Sequence, residues 1–403
     1  MKAAHARPIK EYCVGIFDGP HATPSESDDG AIYLGIKNLS EDGRLDLSEI
    51  RHVSENDLPK WIRRVEPQPG DLVFTYEATL HRYAIIPEGF RGCLGRRVAL
   101  VRPDTNKVAP LFLLYYFLSA RWRQVVESNI ITGATVDRIP IERFPDFPVS
   151  LPDLPVQKRI ADIISAYDEQ IDNNIRRIKL LEESARLLYE EWFARLRFPG
   201  HEHTRIVKGV PEGWETFNVP DLIEINPRTV PPEGEILYVP MASLSERSMT
   251  VSFKEMEKRA KPTGAKFRNG DILFPRITPC LENGKTAFVN FLAEGEIACG
   301  STEFIVLRGK KVTPEFVYSL ARTYEFRENA IKSMIGSSGR QRVQETCFGE
   351  FRVILPPRLL LDQFEEITSS IFKMIAKLHF ELEKLKQARN ILLPKLMSQE
   401  IEL

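Results

Sequence analysis

The sequence predicts an α+β fold made of two copies of one unit, and three observations carry that prediction. Val108-Ala109-Pro110-Leu111-Phe112 returns as Val312-Thr313-Pro314-Glu315-Phe316, an offset of 204. The same offset places Arg138-Ile139 on Arg342-Val343, Phe144 on Phe348, Phe147 on Phe351 and Leu151-Pro152 on Leu355-Pro356. Short β-rich runs separated by turn residues fill the first part of each copy, and a long stretch with apolar residues three and four apart closes it. Upstream the register drifts, as loop insertions produce. Gly70-Asp71-Leu72-Val73-Phe74 meets Gly270-Asp271-Ile272-Leu273-Phe274 at an offset of 200, and Tyr33-Leu34 meets Tyr238-Val239 at 205.

In chain order, residues 1–153 form the first domain, with strand-like runs at 31–36, 71–76 and 96–101. A helix opens at Pro110, because proline suits a first helical turn. Residues 154–198 form a central helix after the proline-rich Leu151-Pro152-Asp153-Leu154-Pro155; its apolar stripe is Ile160, Ile164, Tyr167, Ile171, Ile175, Ile178, Leu181, Ala185, Leu188 and Trp192. Residues 199–355 repeat the domain, with runs at 236–241, 271–275 and 303–307 and a helix opening at Pro314. Residues 356–403 repeat the helix through Phe364, Ile367, Ile371, Met374, Leu378, Leu382, Leu385, Ala388 and Leu392, and Pro394 is expected to stop it.

Each helix is expected to extend roughly 60 Å at 1.5 Å per residue. Spacings that sum to sevens are a coiled-coil signature. One such stripe also suits a core helix in a bundle. Two of equal length, each after an equal domain, are more economically paired with each other. The second helix must return along the first, so the pair is antiparallel and relates the domains by a pseudo-two-fold axis. The expected interface sets Ile160, Ile164, Tyr167, Ile171, Ile178 and Leu181 against Phe364, Ile371, Leu378, Leu385 and Leu392. DNA has an approximate two-fold of its own, so paired domains at fixed separation suit paired half-sites. A scaffold with no nucleic acid has the same geometry.

At 403 residues, 43% hydrophobic and 28% charged, the chain excludes a disordered or fibrous protein. Lys and Arg number 55 against 56 Asp and Glu, for a net charge of −1, and no segment is basic overall. The arginines nevertheless bunch: Arg91, Arg96, Arg97, Arg102, Arg121 and Arg123 in the first domain, and Lys254, Lys258, Arg259, Lys261, Lys266 and Arg268 in the second. DNA binding depends on the phosphates locally neutralised rather than on net charge, and a solvated mixed-charge surface produces such bunches too. Five scattered cysteines without a C-x-x-C pair argue against disulfides and structural zinc. The most apolar run, residues 111–118, is far shorter than the ~20 residues that span a bilayer. A cytoplasmic protein with no membrane association is expected.

Catalytic motifs are missing. Gly284-Lys285-Thr286 resembles the end of a phosphate loop, but the position of its first glycine is Pro279, which has no N–H for a phosphate. Asn226-Pro227 is followed by Arg228, not by the proline and aromatic of an amino-methyltransferase. His201-Glu202-His203 has no third metal ligand in view, and Gly336-Ser337-Ser338-Gly339 is not a nucleophile elbow. No catalytic residue and no metal site are assigned. The loops before the long helices hold more promise: Thr135 and Arg138 in one copy, Ser338, Arg340 and Arg342 in the other. Small residues permit close approach, and hydroxyl and guanidinium groups donate to phosphates or guanine edges. A structural turn would want the same glycines.

The segment Leu151 to Ala161 (LPDLPVQKRIA) with its heptad continuation resembles the central repeat of the specificity subunit of type I restriction-modification systems. Similar too are Trp192-Phe193 with Arg197-Phe198-Pro199-Gly200, Pro211-Glu212-Gly213-Trp214, the opening Phe17-Asp18-Gly19-Pro20-His21-Ala22-Thr23-Pro24 and the ending Leu392-Leu393-Pro394-Lys395-Leu396-Met397-Ser398. The resemblance implies two target recognition domains, each reading one half of a split sequence in double-stranded DNA, with the coiled coil as the ruler for the unread spacer. It implies docking of two methyltransferase subunits, which carry S-adenosylmethionine and methylate a flipped adenine, and of motor-nuclease subunits that use ATP and Mg. No cofactor is expected in this chain, which would be non-catalytic. Candidates near DNA are then His21, Thr23, Lys37 and Asn38 in the first domain and Arg228, Arg276 and Lys285 in the second. His21 and Thr23 also suit a plain turn. The halves differ: Gln157 has Leu361 opposite it, and each domain lacks the other's opening motif. The competing readings are a coiled-coil scaffold and a self-contained DNA-modifying enzyme.

Overall fold

The computed structural model describes residues 6–132, 136–337, 339–398 and 400–401. The chain divides into two compact units, residues 1–170 with 385–403, and residues 171–384. Each unit therefore holds one α+β domain and one end of each long helix.

In the first unit a four-stranded antiparallel sheet runs in the order Cys13–Asp18, Val98–Pro103, Leu72–Thr75, Tyr83–Ile85. In the second unit Ile223–Ile225, Phe304–Gly309, Ile272–Pro275 and Ala287–Phe288 follow the same order. The registers agree as well. Leu72 faces Val101 and Phe74 faces Ala99, while Ile272 faces Leu307 and Phe274 faces Ile305. Beside each lies a mixed sheet whose parallel step pairs Tyr33 with Cys93 in one unit and Tyr238 with Cys299 in the other. The second unit adds one strand to it, Ala265–Arg268. Both units close on a two-stranded ladder before the long helix: Arg7–Pro8 with Pro148–Val149, and Glu215–Asn218 with Arg352–Leu355. The expected repeat is thus a repeat of sheet order and register.

The Gly-Asp step explains why that motif survives in both copies. Gly70 and Gly270 share a φ of 87°, a left-handed conformation that a Cβ would strain. The next residue, Asp71 or Asp271, is buried and accepts two hydrogen bonds from an arginine on the neighbouring strand. The Arg102 Nε and Nη2 distances are 2.9 and 2.7 Å, and those of Arg308 are 2.6 and 2.7 Å. The same carboxylates accept a turn N–H, from Gln68 and from Arg268, at 2.8 Å in each case. A buried charge held in this way is satisfied on every side. The aromatic cores match too: Phe74 stacks on Phe144 at 4.7 Å beside Trp122, and Phe274 packs on Phe348 at 6.2 Å beside Phe326.

The central helix spans Leu154–Tyr189 and passes into a π-turn at Glu190–Ala194; the C-terminal helix spans Arg358–Met397. The second helix does not stop at Pro394. Leu396 and Met397 are buried in the core of the first unit, and that packing carries the helix one turn past the proline. Within the first unit Asp168 of the central helix meets Arg389 of the C-terminal helix at 2.7 Å, and Ile160 and Ile164 share a core with Leu392 and Leu393. Within the second unit Tyr189, Trp192 and Phe193 pack against Phe364.

Of the expected interface residues, Ile160, Ile164, Ile171, Ile178, Phe364 and Leu378 are buried, and Tyr167, Leu181, Ile371, Leu385 and Leu392 are half-buried. Three further members of the stripes face outward: Ile175, Ile367 and Met374. Their buried neighbours are Asn174, Thr368 and Ile375, and Phe372 replaces Ile371 as the inward aromatic. The reason is that each helix packs on its domain as well. Phe372 meets Phe288 and Tyr318 of the second domain at 5.0 and 5.6 Å, which turns the inward arc by one residue. Among the described residues no helix is long and apolar enough to cross a membrane.

Candidate nucleic-acid interface

The two loops singled out by the repeat are built alike. Ile131 and Arg138 exchange backbone hydrogen bonds at 2.9 and 3.1 Å, and Ile335 and Arg342 do so at 3.0 Å each way. Each loop is stitched to the segment leaving the central strand of its sheet. Ile139 N–H donates to the Tyr76 carbonyl at 2.7 Å, and Val343 N–H donates to the Arg276 carbonyl at 2.8 Å. Arg138 bridges to Glu77 and Arg342 to Ile277 in the same way. The apolar residues after them, Ile139 and Val343, are buried anchors. The loop bases are therefore fixed, with Arg138, Arg340 and Arg342 exposed on them. Thr135 and Ser338 lie outside the described residues.

In the first domain three features converge on Tyr76-Glu77. The His21 ring lies 3.5 Å from the Tyr76 hydroxyl and 3.1 Å from the Asp18 carboxylate. Arg97, left-handed at φ 72°, accepts a hydrogen bond from the Tyr76 N–H on its carbonyl and sets its guanidinium 3.0 Å from Glu77. Arg138 makes the third. Arg97 also lines a cleft of about 500 Å³, together with Lys37, Arg51 and Arg96 and with Glu26 and Glu49. Lys37 is exposed there. Asn38, next to it, is a correction: the side chain is buried, its oxygen accepts from the Gly35 N–H, and its amide donates to the Asp46 and Glu49 carbonyls. Those three bonds hold the turn and leave nothing to offer DNA. Thr23 is exposed on the segment after His21.

A second groove, of about 680 Å³, sets His21 beside Lys60, Trp61, Arg63 and Arg64. Sequence reasoning passed over this basic run. Its signal was present, a tryptophan with cations on both sides at the end of the short helix Leu58–Trp61. Arg64 is tied to Asp18 at 2.5 Å, whereas Arg63 is exposed with no ion pair among the described residues.

In the second domain Arg276 and Arg342 are brought together. The Arg276 guanidinium donates to the Val343 carbonyl and to Glu345 at 3.0 Å. Arg342 holds Glu303 with Nε and Nη2, at 2.9 and 2.6 Å. That guanidinium keeps the Glu303 carboxyl below its ordinary range, chiefly by hydrogen bonding. Thr278 and Gln341 link the neighbouring loop, which carries Lys285, to the same place. The Lys285 ammonium is half-buried and donates to the Met241 carbonyl at 3.2 Å. Arg327 and Arg322 pin this loop from below: Arg327 donates to the Leu281 carbonyl and to Thr286, and Arg322 to the Gly284 carbonyl at 2.5 Å. Burial pushes the Arg327 guanidinium down to about 10. Arg228 is exposed on a separate loop. Of the cations between 254 and 268, Arg259 is spent on Glu257 and on the face of Tyr238 at 3.2 Å. Among the described residues no group of three or more His, Cys, Asp or Glu could hold a metal ion.

Residues 62–183 match the sequence profile of the type I restriction modification DNA specificity domain. The chain is 30% identical over 154 residues to the type I restriction enzyme EcoEI specificity subunit of Escherichia coli, a match that takes in 37% of this chain and 26% of that protein. The chain thus spans about a quarter of the length of that relative. It is 22% identical over 415 aligned positions to the MjaIX specificity subunit of Methanocaldococcus jannaschii, covering 98% of this chain and 88% of the relative. Among solved structures, the S subunit of a type I restriction-modification system from M. genitalium superposes with a TM-score of 0.60 at 16% identity, over 97% of this chain and 95% of that one. At that identity the likeness speaks for the fold.

Proposed function

We propose, from the premise that this chain belongs with the specificity subunits of type I restriction-modification systems, that it reads a bipartite DNA sequence, one half-site per domain. The observation that carries the proposal is the equivalence of the two arginine loops. Arg138 and Arg342 stand on fixed loop bases of matching construction, and in the first domain a cleft and a groove lined by further cations lie close by. A fixed backbone that presents cations and hydroxyl-bearing loops suits groove recognition, because phosphate contacts set the register and base-edge contacts supply sequence. Near-neutral overall charge is compatible with this, since the cations of the cleft and groove are local.

The long helices supply the rest of the reading. They pair antiparallel as a coiled coil, set the unread spacer and relate the halves by a pseudo-two-fold. In support, each compact unit contains the start of one helix and the end of the other, with interhelical contacts in both. Exposed apolar residues on the helices, Leu180, Leu187, Phe380 and Ile391 among them, suit docking of two methyltransferase subunits. Those partners would supply S-adenosylmethionine and the methyl transfer to adenine, and motor-nuclease subunits would supply ATP- and Mg-dependent cleavage. This chain is then a non-catalytic cytoplasmic subunit.

The test is binding by the chain assembled with its methyltransferase subunits. One bipartite duplex should bind about a thousand-fold or more tighter than scrambled duplexes at physiological salt. Equal affinity for all duplexes would leave only the scaffold.

A further inference from the structure

We infer that Arg342 and Glu303 form a buttressed base reader, in which Glu303 orients the guanidinium end-on toward a guanine in the half-site of the second domain. The inference rests on the DNA-reading function proposed above and deepens it. A guanidinium carries five N–H donors in a rigid plane. Glu303 takes the side edge: Nε donates to both carboxylate oxygens at 2.9 and 3.1 Å, and one Nη2 proton donates at 2.6 Å. What remains is the end edge, made of one Nη1 proton and the second Nη2 proton, with the other Nη1 proton pointing to the opposite side. That edge matches the O6 and N7 acceptors of guanine in the major groove.

Three observations favour a base over a phosphate. The pair sets +1 against −1, so a phosphate gains little from it, while the directional donors toward a neutral base edge are undiminished. The Arg342 side chain is 47% exposed and Glu303 only 22%, so the reader is accessible and its support is set back. The backbone under Arg342 is held at N–H and carbonyl by Ile335, and the next residue, Val343, is buried and bonded to Arg276. Such a side chain loses little freedom on binding, which is the condition for discrimination. The equivalent loop arginine of the first domain is not held in this way. There the carboxylate of Glu77 pairs with Arg97, and Arg138 has no ion pair among the described residues. The two loops share a backbone and differ in chemistry: Arg138 is suited to phosphate, Arg342 to guanine.

The experiment uses the complex of the full chain with its methyltransferase subunits. Methylome sequencing of cells expressing it first fixes the wild-type motif, and binding to single-position variants of that motif then measures discrimination. Arg342→Lys keeps the charge and removes the planar fork. It should relax one G·C position in one half-site by roughly ten- to a hundred-fold, with the other half-site unchanged as an internal control for folding. Glu303→Gln should weaken discrimination at that same position and steepen the dependence of log affinity on log salt by about 0.9, because the freed cation turns to phosphate. Uniform weakening of all sequences by Arg342→Lys would overturn the inference. So would relaxation at an A·T pair, or unaltered discrimination in Glu303→Gln. A wild-type complex with no bipartite motif would instead refute the underlying function.

Discussion

Gln157 and Leu361 occupy the same step of the repeat, and the first unit shows what the glutamine is for. Its oxygen accepts from the Ala109 N–H at 3.0 Å, and its amide donates to the Lys107 and Pro152 carbonyls at 3.2 and 2.8 Å, all in a buried site. The second unit has Leu361 at that step, and there the helix start carries a different device, the Thr313 hydroxyl, which accepts from the Phe316 N–H. Gln157→Leu orphans three backbone groups and should cost about 2–3 kcal/mol, read as a lowered urea midpoint. The Gly-Asp step yields a matched pair of predictions. Asp71→Asn and Asp271→Asn each leave a largely buried arginine uncompensated, so both should destabilise by about 3 kcal/mol, and by similar amounts in calorimetry. Arg138→Ala should act differently from any change at Arg342. It weakens all duplexes alike and lowers the salt slope by about 0.9. At this scale the arginines were legible from the repeat. The carboxylate beside Arg342 was not, because Glu303 lies 39 residues away in sequence and only the fold brings it near. Asn38 was misread for a related reason: an exposed-looking Lys-Asn pair conceals a buried amide that holds a turn.

At the level of elements, sequence periodicity located both long helices and missed how they turn. Heptad spacing identifies an apolar stripe, but the inward arc also depends on the domain beside it, which a one-dimensional pattern does not contain. Phe372 and Thr368 are buried for that reason, and Ile367 and Met374 are not. A carboxylate on the central helix supplies a test. Glu182 is half-buried against the second domain and accepts from the Ser248 hydroxyl at 2.6 Å and the Met249 N–H at 2.8 Å. Desolvation raises its pKa above the ordinary carboxyl value. The native chain therefore keeps this proton to a higher pH than the unfolded chain does. As pH rises from the ordinary carboxyl range through the raised native value, the unfolded state binds fewer protons and stability falls. Glu182→Gln retains an amide oxygen for both donors and removes the titration. The variant should lose this fall above the ordinary carboxyl range in thermal unfolding, and an undiminished fall would assign it to other groups.

For the whole molecule, the offset of 204 was the most informative feature of the sequence, since it fixed the order of domains and helices before any contact was known. It could not show that each compact unit borrows the far end of the other repeat's helix, because residues 385–403 join the first unit only through tertiary packing. Net charge was misleading in the same way. A value of −1 hides a cleft lined by Lys37, Arg51 and Arg96, residues separated in the chain and gathered by the antiparallel and parallel strand pairs of the mixed sheet. The central claim is that each domain reads one half of a split target. It is tested most directly by methylome sequencing of cells carrying the complete complex, with and without this chain. The account predicts that one bipartite adenine-methylated motif, two short specified halves around a fixed unspecified gap, disappears with the chain. Identical methylomes in the two cells, with the methyltransferase subunits present in both, would contradict it.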